Sequence, residues 1–324
     1  MNKTDKVDTT GAAVAAELNE TLSASYMLAT LKISRWSASK QDKELAAKMA
    51  EQHGAVEGST SASKKLLVGA SEELDAVNKS LNAIRTHLYE NSLPWSSDSK
   101  DLKGPRIVST TASIKLLKEL GEMQSDFNRT LKTFLKVYAD RRRQALVNLG
   151  KLGDITAYPS EADMAGLFVV NLELVPVPTV SGFGKMNVPA PLAQALAKRM
   201  VTKQQKVVDN MMGALQERVL EAVTTLSTQL HKSADGEGTR MFESLTENLK
   251  PIVTLIDSAS LAKDKRLLDL KADIDALSKV SIKQVKKATP KVKREIAAKA
   301  DKVIKTLSKP PVVNVDDAVS EVLF

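Results

Sequence analysis

Apolar residues recur at steps of three and four along several stretches of the chain, which is the spacing of one face of an α-helix. The first stretch follows Ser71 and contains Leu74, Val77, Leu81, Ile84 and Leu88. A second runs from Ser113 to about Leu149, and a third from about Leu192 to Leu230. At roughly 1.5 Å per residue, the second could span on the order of 50 Å. The pattern predicts a mainly α fold, an elongated helical bundle with long coiled-coil-like helices.

The period changes between residues 166 and 189. The stretch GLFVVNLELVPVPTVSGFGKMNVP is rich in β-branched residues and alternates, with Phe168, Val170, Leu172 and Leu174 on one face. Proline and glycine interrupt it, so the sequence predicts a small β-hairpin insertion with edge strands. A shorter β-favouring stretch lies at residues 31–36.

The same patterns divide the chain into five segments. Residues 1–20 are polar and small, which predicts a flexible N-terminus. The helical bundle with its hairpin covers 21–235, and additional helices cover 236–280. A basic helical arm follows at 281–312, with Thr289 as its N-cap and Pro290 at its first helical position. An acidic, Phe-ended tail occupies 313–324.

The positive charge of the chain is concentrated in the arm. The net charge is +8, and residues 281–309 alone carry ten basic and two acidic residues. A local excess of this kind is typical of an electrostatic binding segment rather than of a uniformly basic fold. The ten basic residues are Lys283, Lys286, Lys287, Lys291, Lys293, Arg294, Lys299, Lys302, Lys305 and Lys309.

Such a segment could bind nucleic acid by neutralising phosphates. No aromatic residue lies between Phe242 and Phe324, so base stacking is not expected there, and binding should be backbone-directed and salt-sensitive. A second basic cluster, Arg141, Arg142 and Arg143, cannot be buried completely by one helix. The apolar residues of the arm, Val292, Ile296, Val303 and Leu307, fall on one side of the predicted helix. The alternative is that this apolar side docks on the bundle while the lysines stay hydrated.

The tail VDDAVSEVLF combines acidic residues with apolar ones. It resembles the acidic, Phe-ended tails by which single-stranded DNA-binding proteins recruit partners. The resemblance implies a partner-binding tail, which could also fold back onto the basic arm. Its residues are Asp316, Asp317, Glu321, Leu323 and Phe324.

The sequence offers little for catalysis. It contains no cysteine, and His53, His87 and His231 are too far apart in sequence to form a recognisable metal motif. The stretch SGFGKM lacks the first glycine and the following Ser or Thr of a phosphate-binding loop. We therefore expect no catalytic residues, no metal, no cofactor and no enzymatic activity. No run of eighteen apolar residues and no signal pattern occurs, so we expect a cytoplasmic protein without integral membrane association.

Five motifs together resemble a known family. They are LKISRWSASKQDKE (31–44), HLYENSLPW (87–95), DFNRTLKTFLKVYA (126–139), AYPS (157–160) and VPVP (175–178). In this order and spacing, they resemble the phage and bacterial domain of unknown function 3150 (DUF3150) over roughly residues 25–235. The resemblance implies a phage-related origin, hence the host cell cytoplasm, and a gene near AAA+ ATPases of the MoxR type. The family has no established activity, so it supplies no site residues.

Three functions follow as expectations. The favoured one is a non-enzymatic phage accessory protein that binds nucleic acid, DNA in particular, through backbone contacts of the arm. The second is a scaffold that assembles through its helical seams with itself, as a homo-oligomer, or with an AAA+ ATPase partner. The third is a helical protein that resembles pore-forming toxins, although GLFVVNLELVPV is too short to cross a bilayer as a helix.

Overall fold

The computed structural model describes residues 20–96, 104–179, 189–258 and 265–308. Its strands are β1 (Tyr26–Ser34), β2 (Ser39–Gln41), β3 (Ser63–Lys65), β4 (Leu93–Pro94), β5 (Arg106–Ser109) and β6 (Val169–Pro176). Its helices in the first half are α1 (Lys43–Gln52), α2 (Glu72–Glu90), α3 (Thr110–Leu149) and α4 (Glu161–Met164). The second half contains α5 (Ala190–Ala234), α6 (Ser244–Glu247), α7 (Leu249–Ser258), α8 (Lys265–Ser278), α9 (Ile282–Lys287) and α10 (Pro290–Leu307).

The described residues belong to two compact units built from separated segments of the chain. Unit 1 draws on Met1–Leu28, Glu90–Ala112 and Val175–Phe324. Unit 2 draws on Ala29–Tyr89 and Ser113–Leu174. The basic arm therefore belongs to the same unit as α5, although more than forty residues of chain separate the end of one from the start of the other.

Unit 2 contains an antiparallel pair of helices, α2 and α3. Hydrogen bonds join Arg141 to Glu73 through Nε at 2.8 Å, Ser80 to Thr130 at 3.1 Å and His87 to Glu119 at 3.0 Å. The apolar residues that the sequence places on one face of α2 are all buried, which satisfies the amphipathic pattern within the unit. These buried residues are Leu74, Val77, Leu81, Ile84 and Leu88.

Unit 1 is organised around α5 and α10, which form its most extensive helix–helix packing. From Val207 to Leu230, every third or fourth residue of α5 enters the core, and α7 and α8 pack on the same cluster. On the arm side, the core takes up residues of both α9 and α10. They are Ile282, Val285, Ala297, Ala300, Val303 and Leu307.

The structure contains a four-stranded antiparallel sheet with the order β4-β5-β1-β6, and β2 pairs with β3 in a separate two-stranded sheet. In the larger sheet, Leu93 lies opposite Ile107 and Pro94 opposite Arg106. Proline cannot donate a backbone hydrogen bond, so its place on the terminal strand β4 agrees with its chemistry. The other edge strand, β6, alternates between exposed and half-buried residues as its sequence predicts.

The predicted architecture is wrong in two respects, although the mainly α class is consistent with the structure. First, among the described helices only α3 and α5 are long, at 40 and 45 residues, and the other helices are short or of medium length, which is not the pattern of a coiled-coil bundle. Second, the described part of the predicted hairpin, residues 166–179, contains one strand, β6, which pairs with β1 in the four-stranded sheet. The second half of the predicted hairpin, residues 180–188, lies outside the described residues.

Candidate nucleic-acid interface

The basic arm is a docked amphipathic element of unit 1. Thr289 has the extended backbone of an N-cap, with φ −67° and ψ 155°, and Pro290 begins α10 as the sequence predicts. The prediction that Val303 and Leu307 share an apolar side also agrees with their burial, but Val292 is 41% exposed. The burial of one helix face fixes which side of the arm its charged residues occupy.

Three of the ten predicted basic residues are committed to interactions inside unit 1. Arg294 Nη2 lies 2.9 Å from Asp235 Oδ1, and Lys302 Nζ lies 2.9 Å from Asp273 Oδ2. Lys293 is buried, with its ammonium 3.5 Å from the carbonyl oxygen of Ser233. Lys309 lies outside the described residues.

The other six basic residues form what we call the lysine surface. All six are exposed, and none forms an ion pair with a carboxylate among the residues that the structure describes. Along α10, the surface extends from Lys291 to Lys305, roughly 21 Å at 1.5 Å per residue. The lysine surface consists of Lys283, Lys286, Lys287, Lys291, Lys299 and Lys305.

An aromatic side chain lies beside this surface, which sequence reasoning missed. Phe242 is 62% exposed, and the ammonium of Lys286 lies 6.0 Å from the centre of its ring. The two residues are far apart in sequence, so a search for aromatics within the arm itself excludes Phe242. An isolated phenylalanine in the polar loop after α5 was the one signal that could have found it.

The turn that contains Phe242 is joined to the arm by its neighbour Glu243. The Glu243 carboxylate accepts hydrogen bonds from the backbone N–H of Lys283 at 2.9 Å and of Ile282 at 3.1 Å. These two bonds hold the pKa of Glu243 below its ordinary value. The carboxylate thereby satisfies free N–H groups at the start of α9.

The cluster of three arginines is already engaged within unit 2. The guanidinium of Arg141 bonds to the carboxylate of Glu73, and this bond lowers the pKa of Glu73. Arg142 lies 3.4 Å from Glu161 and over the ring of Tyr138, while Arg143 pairs with Asp140 on its own helix. These ion pairs occupy donors that phosphate binding would need, so the lysine surface is the stronger candidate.

A polar interaction fixes α10 against α5. Asp301 accepts a hydrogen bond from the Ser227 hydroxyl through Oδ1, and its Oδ2 lies 2.9 Å from His231 Nε2. The serine is buried and donates to the carboxylate rather than to the imidazole, so this is not the geometry of a Ser–His–Asp triad. Burial alone would raise the pKa of Asp301, but the bonds from Ser227 and His231 outweigh it and hold the pKa below its ordinary value.

This interaction predicts a pH-dependent contribution to the stability of unit 1. A carboxylate with a lowered pKa stabilises the folded state fully above its unfolded pKa, and the contribution is lost as the pH falls through the folded value. We expect Asp301→Asn to lower the free energy of unfolding by about 0.5–1 kcal/mol at pH 7, a value reduced for its half-exposed side chain. Denaturant titrations should show this difference shrinking toward pH 3.

The matched control is Asp269→Asn, which alters an exposed carboxylate on α8 that forms no ion pair among the described residues. Its effect on stability should be small at every pH. A difference for Asp301→Asn that is the same at pH 7 and pH 3 would show that the charge of Asp301 does not stabilise the docked arm.

Other predicted features give little evidence of a site. Unit 2 has an open groove of about 230 Å³ with uncharged lining residues, among them Leu31, Ile84 and Gln124.

Within the described ranges, no three His, Asp or Glu residues are placed to hold a metal ion. Among these residues, too, no helix is long and apolar enough to cross a membrane. The tail residues Asp316, Asp317, Glu321, Leu323 and Phe324 lie outside the described residues.

Comparison with known proteins adds no relative. No family model, no curated protein and no solved structure matches the chain. The resemblance to the DUF3150 family, and the phage origin and AAA+ partner that it implies, therefore remain predictions.

Proposed function

We propose that this chain is a non-enzymatic accessory protein that binds nucleic acid through the phosphate backbone, using the lysine surface on α9 and α10. The observation that carries the proposal is that these lysines are exposed and lack carboxylate partners among the described residues. Six ammonium groups are exposed, close together in the chain and unpaired with carboxylates among the described residues, on helices fixed by burial of their opposite side. Clustered lysines on a fixed helix can neutralise several phosphates at once, and the nucleic acid then releases the counterions of those phosphates.

The charge distribution supports a binding role rather than a purely structural one. Lysine side chains are compact point charges that bind phosphate without reading bases, so the expected binding is weakly sequence-specific. An arm that served only to cover α5 would not require an exposed side with almost exclusively positive charge. Glu295 and Asp301 are the only acids between residues 281 and 309.

The test is a titration of the full chain with single-stranded DNA, double-stranded DNA and single-stranded RNA of equal length at two salt concentrations. We expect binding at low salt that weakens steeply as salt rises, because each neutralised phosphate releases counterions. Absence of binding to either DNA and to RNA at low salt would refute the proposed function. Binding that does not depend on salt would place the site away from the lysine surface.

Assembly through helical seams has less support as a function. The apolar faces of α2 and α3 that would serve as seams are buried within unit 2. Exposed apolar residues remain on α3, such as Ile114 at 78% and Val147 at 80%, but they lie far apart along the helix. Single exposed apolar residues are normal on protein surfaces.

The acidic tail leads to a further prediction about this site. Asp316, Asp317 and Glu321 follow α10 closely in sequence, so they would reach a high effective concentration near the lysine surface and compete with phosphate. Replacing all three with Asn, Asn and Gln should raise affinity for DNA several-fold at low salt, and less at high salt. Fluorescence anisotropy can measure the change.

Removal of residues 313–324 should reproduce this gain, because both changes delete the same negative charges. The substituted chain controls for length, and the truncated chain controls for the new amide side chains. If neither change alters affinity at low salt, the tail does not compete for the lysine surface.

A further inference from the structure

Phe242 is exposed in an unusual way for a large aromatic side chain. Its ring is 62% exposed, whereas the preceding residue, Met241, is buried in the core of unit 1. The following residue, Glu243, is bonded to two backbone N–H groups of α9. The Phe242 carbonyl oxygen also accepts a hydrogen bond from Leu245 N at 3.0 Å. The backbone is thus anchored on both sides of the residue, and the ring is held at the surface at little cost in conformational entropy.

The positively charged neighbours of this ring belong to the lysine surface. Lys286 Nζ is 6.0 Å from the ring centre, and the Glu243 bonds bring the start of α9, with Lys283, next to the same turn. An aromatic face beside lysine ammonium groups is the combination with which proteins bind unpaired bases. The ring stacks on the base while the cations bind the adjoining phosphates.

We propose that Phe242 is a base-stacking platform at the α9 end of the lysine surface, and that the ligand of this surface is single-stranded nucleic acid. The inference rests on the proposed function and narrows its ligand class. In a duplex the bases are stacked on one another and cannot cover the ring, whereas a single strand offers unpaired bases. The arm itself contains no aromatic residue, and the proposed stacking ring comes from the turn that precedes α6.

Phe242→Ala tests the role of the ring. We expect single-stranded DNA to bind about 5- to 100-fold more weakly, the range for loss of one stacked base. Affinity for duplex DNA of the same length should change less than about two-fold. The salt dependence of single-strand binding should stay the same, because no charge is removed.

Phe242→Trp supplies a matched variant that keeps an aromatic face. It should retain single-strand affinity within about two-fold of the original chain. The indole introduced at the surface also gives a direct signal, because stacking on a base should quench its fluorescence. The two native tryptophans, Trp36 and Trp95, provide the baseline in the unsubstituted chain. Thermal unfolding of both variants checks that unit 1 remains folded.

The outcomes separate this inference from the function on which it rests. If the chain binds neither single strands nor duplexes, the proposed function fails and the stacking site fails with it. If single strands bind, but Phe242→Ala leaves their affinity unchanged and the Phe242→Trp signal is not quenched, the stacking platform is refuted while phosphate binding stands. Tighter binding of duplex than of single strands would also refute single-stranded nucleic acid as the ligand.

Discussion

Replacing Lys291, Lys299 and Lys305 together with glutamine should weaken DNA binding on the order of 10- to 100-fold at low salt. These three lysines are exposed on α10 and form no ion pair among the described residues. Glutamine keeps much of the side-chain length and helix propensity, so the main change is the loss of three positive charges. The structure predicts that the fold stays intact.

The diagnostic quantity is the dependence of affinity on salt. Removing one lysine–phosphate interaction should flatten the slope of log K against log salt, by about 0.7 for a single strand and 0.9 for a duplex. The triple substitution therefore predicts a slope change of about two for single strands and nearly three for duplexes. A fall in affinity without a change of slope would mean that the substitution acts through the fold rather than through phosphate binding.

The control is Lys118, Lys132 and Lys136 replaced with glutamine. These lysines are exposed on α3 in unit 2, and the substitution changes the net charge of the chain by the same amount. If binding depended only on total charge, both triple variants would lose affinity equally. A larger loss of DNA affinity in the unit 2 variant would place the interface in unit 2, where Arg141, Arg142 and Arg143 would be the candidate residues.

The helices could be predicted from the sequence because their signals are local. The apolar residues of α2 and the start of α10 at Pro290 both depend on residues within one or two turns. The alternation in β6 was visible for the same reason. Its pairing partner was not, because β1 lies well over a hundred residues earlier in the chain. The local sequence favoured a hairpin, whereas the pairing of β6 with β1 joins residues that are far apart in the chain.

The candidate site, too, has features that the sequence predicts and features that depend on the tertiary fold. The positive charge of the arm is a property of the sequence alone, and so is the set of its lysines. Which of them remain available depends on distant carboxylates, such as Asp235 beside Arg294 and Asp273 beside Lys302. The position of Phe242 beside Lys286 likewise depends on the tertiary fold. Long-range interactions of this kind leave no periodic signal in the sequence.

The docked arm also decides how the interface can be tested. Cutting the chain at residue 280 would remove Val285, Ala297, Ala300 and Val303 from the core of unit 1, together with the lysines. The apolar side of α5 would then be exposed to water, and a loss of binding could reflect an unfolded unit. Substitution of exposed residues avoids this ambiguity, because side chains at the surface contribute little to stability.

Val303→Asp should destabilise the protein more than any of the surface substitutions. Val303 is completely buried in the core cluster of unit 1, and an aspartate there would lose its hydration without gaining a partner. We expect a loss of roughly 4 kcal/mol or more in the free energy of unfolding, measured by denaturant titration. Val303→Ala, which leaves a smaller defect, should cost roughly 1–3 kcal/mol and remain measurable if the aspartate variant does not fold.

Val292→Asp is the matched control, because it makes the same chemical change on the same helix. The sequence predicts that both valines share the apolar side of the arm, but Val292 is 41% exposed and lies in the first turn of α10. A negative charge near a helix N-terminus is favourable, so this variant should lose almost no stability. A large loss for Val303→Asp with none for Val292→Asp would confirm the docked face of α10. Equal losses of stability would mean that both valines lie on the buried face, as the sequence predicts. Small losses of stability in both variants would mean that the arm does not dock on α5.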